Sequence, residues 1–292
     1  MVTIFIVTVL GLLGLVFGSF AGAQVWRLRA LQLVEDKAAG ESYDKKEYKA
    51  LMPLTKQSLA HDRSRCLSCG HTLQWYDLLP LVSWIRTGGK CRYCRHPIGR
   101  FEPLIEVGTA AFFAISFLSW PVALASPLAI TQFVVWLVAG VMLVILFAYD
   151  TKWFLLPDRV VFPLMGVALG YNLLGLIGAT EPWMAVADTA AAIVILSGLY
   201  LVLWLISRGR WIGFGDVKLG VILGLLTGSW QLAFLTLFLA NLIGTLIVIP
   251  GLITKKMTRT TQVPFGPMLI GACVIAVLYG NALINWYLST FI

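Results

Sequence analysis

The 22 Lys and Arg residues of this chain are spread so unevenly that they dictate its architecture. Fourteen fall within residues 27–102, and the rest in three short stretches, 150–159, 207–218 and 254–265. The intervening sequence is apolar. It comprises Met1–Trp26, Pro103–Trp120, Leu128–Tyr149, Val160–Ile177, Met184–Ile206, Val217–Trp230, Gln231–Ile253 and Gly266–Leu288. Most of these runs approach the ~20 residues that cross a bilayer. With eight crossings and an outside N-terminus, every basic stretch lands on the inner side, as the positive-inside rule asks. Joining Val217–Trp230 to the next run at Gly228-Ser229 would put Lys255, Lys256 and Arg259 outside, so the charges select eight.

The expectation is an all-α polytopic membrane protein with about eight transmembrane helices and a cytoplasmic zinc-binding loop domain. Its divisions are a first transmembrane helix at 1–26, a cytoplasmic domain at 27–102 and a seven-helix membrane core at 103–292. A composition 59% apolar and only 12% charged excludes an ordinary soluble domain. The net charge of +8 is accounted for by membrane orientation, and no nucleic-acid partner is expected. Met1–Trp26 carries no basic residue before Arg27, whereas a signal peptide begins with one, so this run reads as an uncleaved helix.

That topology brings two acids to one membrane face. Asp150 ends the third apolar run on the inner side, and Asp216, in Gly213-Phe214-Gly215-Asp216-Val217-Lys218, opens the sixth on the same side. A carboxylate at the edge of hydrocarbon is costly, which marks it as a candidate functional group. The plain alternative for Asp216 is a helix cap, with the glycines supplying the turn. Two carboxyls close enough to share a proton cannot both ionise, and such a pair activates water and protonates a leaving amine. Gly213 and Gly215 would let an extended peptide approach closely. Lys218 would tune Asp216 or bind headgroups, and Glu106 joins the group at that face. Asp158 lies in the loop after Asp150, and spacing alone leaves an Asp150–Asp158 pairing open. Asp188 falls toward the opposite face, where an interfacial or interhelical hydrogen bond is its expected role.

The cysteines form a second constellation. Cys66-x-x-Cys69 and Cys91-x-x-Cys94 place two pairs of thiolates on tight knuckles, the four soft ligands that tetrahedral zinc prefers. Four Cys complete such a structural site, although His71 and His96 stand beside the knuckles. Cytoplasmic placement argues against disulfides. Cys273, alone in the last run, reads as a small buried apolar residue.

Taken in order, these residues resemble the type IV prepilin peptidases, membrane aspartic proteases with a GxGD signature. The resemblance covers most of the chain. It runs through Gly18-Ser19-Phe20, Arg65-Cys66 with Cys91-Arg92-Tyr93-Cys94, and Pro103-Leu104-Ile105-Glu106. It continues with Asp150 and Leu156-Pro157-Asp158, Gly213-x-Gly215-Asp216-x-Lys218-Leu219, and Pro264-Phe265-Gly266-Pro267. It implies a multi-pass enzyme of the bacterial inner membrane, serving type IV pilus or type II secretion systems. Such an enzyme cuts the basic leader from prepilins or pseudopilins at the cytoplasmic face. Many members then methylate the new N-terminus from S-adenosylmethionine.

The family's catalytic aspartates fall on Asp150 and Asp216, and its cysteine tetrad, with bound zinc, on Cys66, Cys69, Cys91 and Cys94. Gly213, Gly215, Lys218 and Glu106 are expected around the substrate. Ala21-Gly22, Arg29 and Glu102 depart from the family pattern, on the side that would serve methyl transfer or leader binding. Two other readings are a peptidase without methyl transfer, and an ion- or proton-coupled transporter with a zinc-knuckle partner module. Transporters usually hold their acids near mid-bilayer between internal repeats, and neither feature is evident here.

Overall fold

The computed structural model describes residues 1–55, 63–255, 258 and 263–291. Lys56, Lys256 and Arg259, three of the charges used above, lie outside them. The secondary structure described is helical, with two isolated β-bridges. Seven helical stretches among the described residues are long and apolar enough to cross a membrane. They are Val2–Ala39 (α1), Phe101–Leu118 (α4), Pro127–Trp153 (α5), Asp158–Ile177 (α6), Pro182–Ser207, Trp230–Ile253 (α10) and Gly266–Thr290, most of α11 (Gly266–Phe291). The fifth is α7 (Pro182–Ile193) and α8 (Leu199–Ser207) joined by a π turn at Val194–Gly198. Two short helices, α2 (Lys45–Leu51) and α3 (Val82–Arg86), lie in the polar region.

The sixth expected crossing, Val217–Trp230, gives a helix too short to stand among these seven. Helix α9 (Phe214–Thr227) has 14 residues, a rise of about 21 Å against a hydrocarbon core of ~30 Å. Nine of those 14 residues are buried, so neighbouring helices rather than lipid surround it.

By chain contacts the molecule divides into two compact units, Met1–Phe117 and Leu118–Ile292. In the first, α1 packs on α4 through a glycine stripe. A Cβ on Gly14 would stand 2.6 Å from the Ala110 Cα, and one on Gly18 2.6 Å from the Glu106 Cα. Small residues at this spacing bring helix backbones together where there is no hydrophobic drive between them. Helix α1 runs well past Trp26, to a left-handed Gly40 cap. Its polar extension is held because Ala30 and Leu33 bury against Leu51 of α2, with Arg29 paired to Glu47 at 2.7 Å. Asp44 starts α2 by accepting from the backbone N–H of Lys46 and Glu47.

In the second unit α9 is the central element, packed by α6, α7, the π turn and α11. Gly220 and Gly224 admit the π turn and the end of α7: their Cβ atoms would fall 2.6 Å from the Leu196 carbonyl oxygen and 2.7 Å from the Ile193 Cα. Ser197 within the turn donates to the Val217 carbonyl at 2.9 Å. At the far end, Gly228 closes α9 in the left-handed region, with φ 61. There the Asn172 amide donates to the Leu225 carbonyl and to Thr189 Oγ1, each at 3.1 Å. The carbonyls that a short helix would leave bare are thus met by protein groups.

Candidate active site and metal centre

Asp150 occupies the last turn of α5 and is 6% exposed. Phe154, in the left-handed region, ends that helix and donates its N–H to the Asp150 carbonyl at 2.9 Å. The Asp150 carboxylate accepts from the backbone N–H of Gly266, the first residue of α11, at 3.1 Å. A helix N-terminus offers unpaired N–H groups, and here a carboxylate from another helix takes one. The approach is so close that a Cβ on Gly266 would lie 2.6 Å from Asp150 Oδ2.

Asp216 sits in the first turn of α9, half-buried, three residues after the cap Gly213. Its carboxylate accepts from the Gly213 backbone, the return half of a capping box. The N-cap is thus Gly213 and not Asp216, the residue considered for that role from the sequence. The Asp150 and Asp216 carboxyls lie within electrostatic reach of each other. Asp158 forms an ion pair with Lys218, whose ammonium also lies over the rings of Phe162 and Phe214.

The two glycines differ in use. A Cβ on Gly215 would meet Leu156 of the α5–α6 loop at 3.2 Å, whereas Gly213 has only groups at 3.9 Å and is exposed. Open approach is available at Gly213. Glu106 belongs to the other unit, where it is 7% exposed and accepts from the Leu81 N–H at 2.8 Å. Asp188, in α7, is half-buried. Cys273 in α11 is fully buried.

Two residues were missed by sequence reasoning. Gly266 was visible only as part of Pro264-Phe265-Gly266-Pro267, a turn signal before a helix. Tyr200 in α8 is 3% exposed, within electrostatic reach of Asp216, and its ring lies 5.8 Å from that of Phe265. Nothing in its apolar surroundings marks it in the sequence.

The cysteines fold as two matching knuckles. Cys66 N–H donates to the His71 carbonyl at 3.0 Å, and Cys91 N–H to that of His96 at 2.8 Å. Gly70 (φ 71) and Arg95 (φ 61) make the two left-handed turns. In each knuckle the first sulfur accepts from the N–H groups two and three residues on, Ser68 and Cys69 for Cys66, Tyr93 and Cys94 for Cys91. All four Sγ atoms lie within 4.8 Å of one another, with Cys66 and Cys94 at 3.9 Å. Metal–sulfur bonds of 2.3 Å set tetrahedrally require edges of about 3.8 Å, so the cluster fits a four-thiolate ion.

Burial pushes the Cys66 thiol up to about 12 against its N–H donors. For Cys91 burial, the largest single effect, acts in the same sense, but the Cys94 and Tyr93 N–H groups together with the Cys66 and Cys94 thiols outweigh it and hold the thiol at about 7. His71 is not needed as a ligand; its ring stacks on Tyr93 at 3.6 Å. Asp77 ties the space between the knuckles to the second one, accepting from Arg92 at 2.8 Å and from the Tyr93 hydroxyl at 3.1 Å.

A multi-pass helical membrane protein with two acids within electrostatic reach at helix ends and four cysteines able to hold a metal falls in the class of membrane aspartic peptidases with a cysteine-bearing N-terminal region. The chain belongs to the type IV leader peptidase family, whose model matches residues 137–249, and the model of the bacterial peptidase A24 N-terminal domain matches residues 12–120. The latter nearly coincides with the first compact unit. Among curated relatives, the prepilin leader peptidase/N-methyltransferase of Aeromonas hydrophila is 31% identical, aligned over 96% of this chain and 93% of its own. That of Pseudomonas aeruginosa is 31% identical over 95% and 92%. No solved structure matches the chain.

Proposed function

We propose that this protein cleaves the leader of type IV prepilins or pseudopilins at the cytoplasmic face of the inner membrane, with Asp150 and Asp216 as the catalytic pair. It then methylates the new N-terminal amine. What supports the peptidase reading is that the Asp150 and Asp216 carboxyls, from α5 and α9, lie within electrostatic reach of each other. Family membership and the relatives' names support both halves of the activity.

The prepilin's apolar helix lies in the bilayer beside the enzyme, its leader in the cytoplasm. One carboxylate takes a proton from water as the water oxygen attacks the scissile carbonyl carbon. The protonated partner gives its proton to the carbonyl oxygen, so the tetrahedral intermediate forms uncharged. When the C–N bond breaks, the first acid protonates the departing amine and the second recovers its proton from the intermediate. Gly266 N–H holds the Asp150 carboxylate in aim. Exposed Gly213 is where the peptide backbone is admitted. Lys218, paired with Asp158, anchors the start of α9 and flanks the substrate.

Cys66, Cys69, Cys91 and Cys94 hold a structural Zn²⁺ that keeps the loop folded. S-adenosylmethionine, when bound, supplies an electrophilic methyl group to the freed amine.

The test is incubation of membranes carrying this chain with a model prepilin, with and without S-adenosylmethionine, read by mass spectrometry. Loss of the leader, followed by gain of one methyl mass only with the donor, is the expected result. Uncut prepilin would overturn the peptidase reading. Cut but unmethylated product would remove the transferase half alone.

A further inference from the structure

Between the two knuckles lie eight consecutive uncharged residues, Leu78–Ile85, bounded by Asp77 and Arg86. In a metal-staple loop this stretch should be polar, yet its apolar side chains are turned outward. Trp75 is 74% exposed, Ile85 69% and Val82 58%, with Leu78 and Leu79 close to 40%. A contiguous apolar face of this kind marks an interaction surface.

Its depth is fixed by a hydrogen bond. The chain reverses at Leu81, a non-glycine at φ 56 and ψ −45, with Val82 N–H donating to the Pro80 carbonyl in a tight γ-turn. The Leu81 N–H at this apex donates to Glu106. Glu106 stands five residues into the membrane-spanning helix α4, about 7.5 Å along its axis. Helix α4 has only 18 residues, about 27 Å, with no length to spare against a ~30 Å core. A group tied to its second turn therefore lies at or below the level where hydrocarbon begins. Arg86, Lys90 and Arg100, all exposed, surround the segment with positive charge, which suits anionic headgroups. Trp84, whose indole N–H donates to the Gly99 carbonyl at 2.7 Å, is a residue type favoured at that boundary.

We infer that the Leu78–Ile85 turn dips into the bilayer as an interfacial anchor, its occupant being phospholipid, so that the metal knuckles are seated on the membrane surface. The inference stands on α4 crossing the membrane and is independent of what the enzyme cuts. Glu106, pinning the apex, is then a positioning residue for the loop.

The test uses the full chain in vesicles of phosphatidylethanolamine and phosphatidylglycerol, with a benzophenone amino acid at position 82 or 85. Irradiation should yield phospholipid adducts at both positions, as at Leu13 in α1, and none at Glu41. Absence of lipid adducts at 82 and 85 while Leu13 gives them would overturn the proposal. So would adducts that pass from lipid to prepilin on co-reconstitution, since the face would then be a substrate groove. The unlabelled chain gives a second readout. Chymotryptic cleavage after Trp84 should proceed in detergent and be suppressed at least tenfold in vesicles with this loop facing out. Equal rates would refute burial in the leaflet.

Discussion

Replacing Gly266 by Ala tests the proposed catalytic geometry without touching either acid. The added Cβ would lie 2.6 Å from Asp150 Oδ2 and 3.3 Å from its Cγ, whereas ordinary carbon–oxygen contacts begin near ~3.3 Å. The carboxylate must retreat by about 0.7 Å or the start of α11 must shift, and the 3.1 Å hydrogen bond is stretched in either case. A hydrogen bond to a charged group is worth about 1.5–3 kcal/mol, and a 1 Å misplacement of a reacting group costs on the order of a hundredfold. The expected outcome is a fall of about 10- to 100-fold in kcat for prepilin cleavage, with KM little changed. The assay is turnover of a model prepilin in proteoliposomes, with helical content and bound metal checked. Gly271→Ala is the control, because its Cβ would meet nothing within 4 Å on the same helix. If Gly266→Ala cleaves within about threefold of the unaltered chain, Asp150 is not held for catalysis by this contact.

Asp150→Asn and Asp216→Asn should each abolish cleavage while the protein remains inserted; full activity in either variant, measured on the same prepilin, would remove that residue from the mechanism. Cys94→Ser, or exposure to a strong chelator, should release bound metal and open residues 66–94 to trypsin, because ligation and folding are one equilibrium in such modules. Metal content and the rate of cutting after Arg86 report both. Glu106→Ala leaves the half-buried Leu81 N–H without this acceptor, a cost of up to about 1–3 kcal/mol. The 75–86 segment should then become more protease-sensitive in detergent, with metal retained; unchanged protection would mean that the γ-turn stands without its acceptor.

The helical membrane class was legible in the apolar runs, seven of which become helices long enough to cross a membrane among the described residues. Helix ends were less legible, since polarity marks where hydrocarbon stops and not where hydrogen bonding stops. Helix α1 accordingly continues to Ala39 on the strength of Ala30 and Leu33 packing against α2. Spacing put Asp150 and Asp216 at one face but left Asp158 in contention. Asp158 has Lys218 as its ion-pair partner, and such a pair depends on how α6 and α9 are rotated. Gly266 escaped notice for the same reason: its Cβ is forbidden by a carboxylate 116 positions earlier in the chain. The knuckles were fully legible, because two CxxC units enforce their own local geometry.

The brevity of α9 has a consequence for where this enzyme can work. Because Asn172, Thr189 and Gly228 finish the helix inside protein, no lipid has to match its length. The height of Asp216 is then set by the surrounding longer helices, which tilt to absorb differences in bilayer thickness. Cleavage should keep its register on the substrate across membranes of differing acyl-chain length, as a float hung from its own frame ignores the waterline.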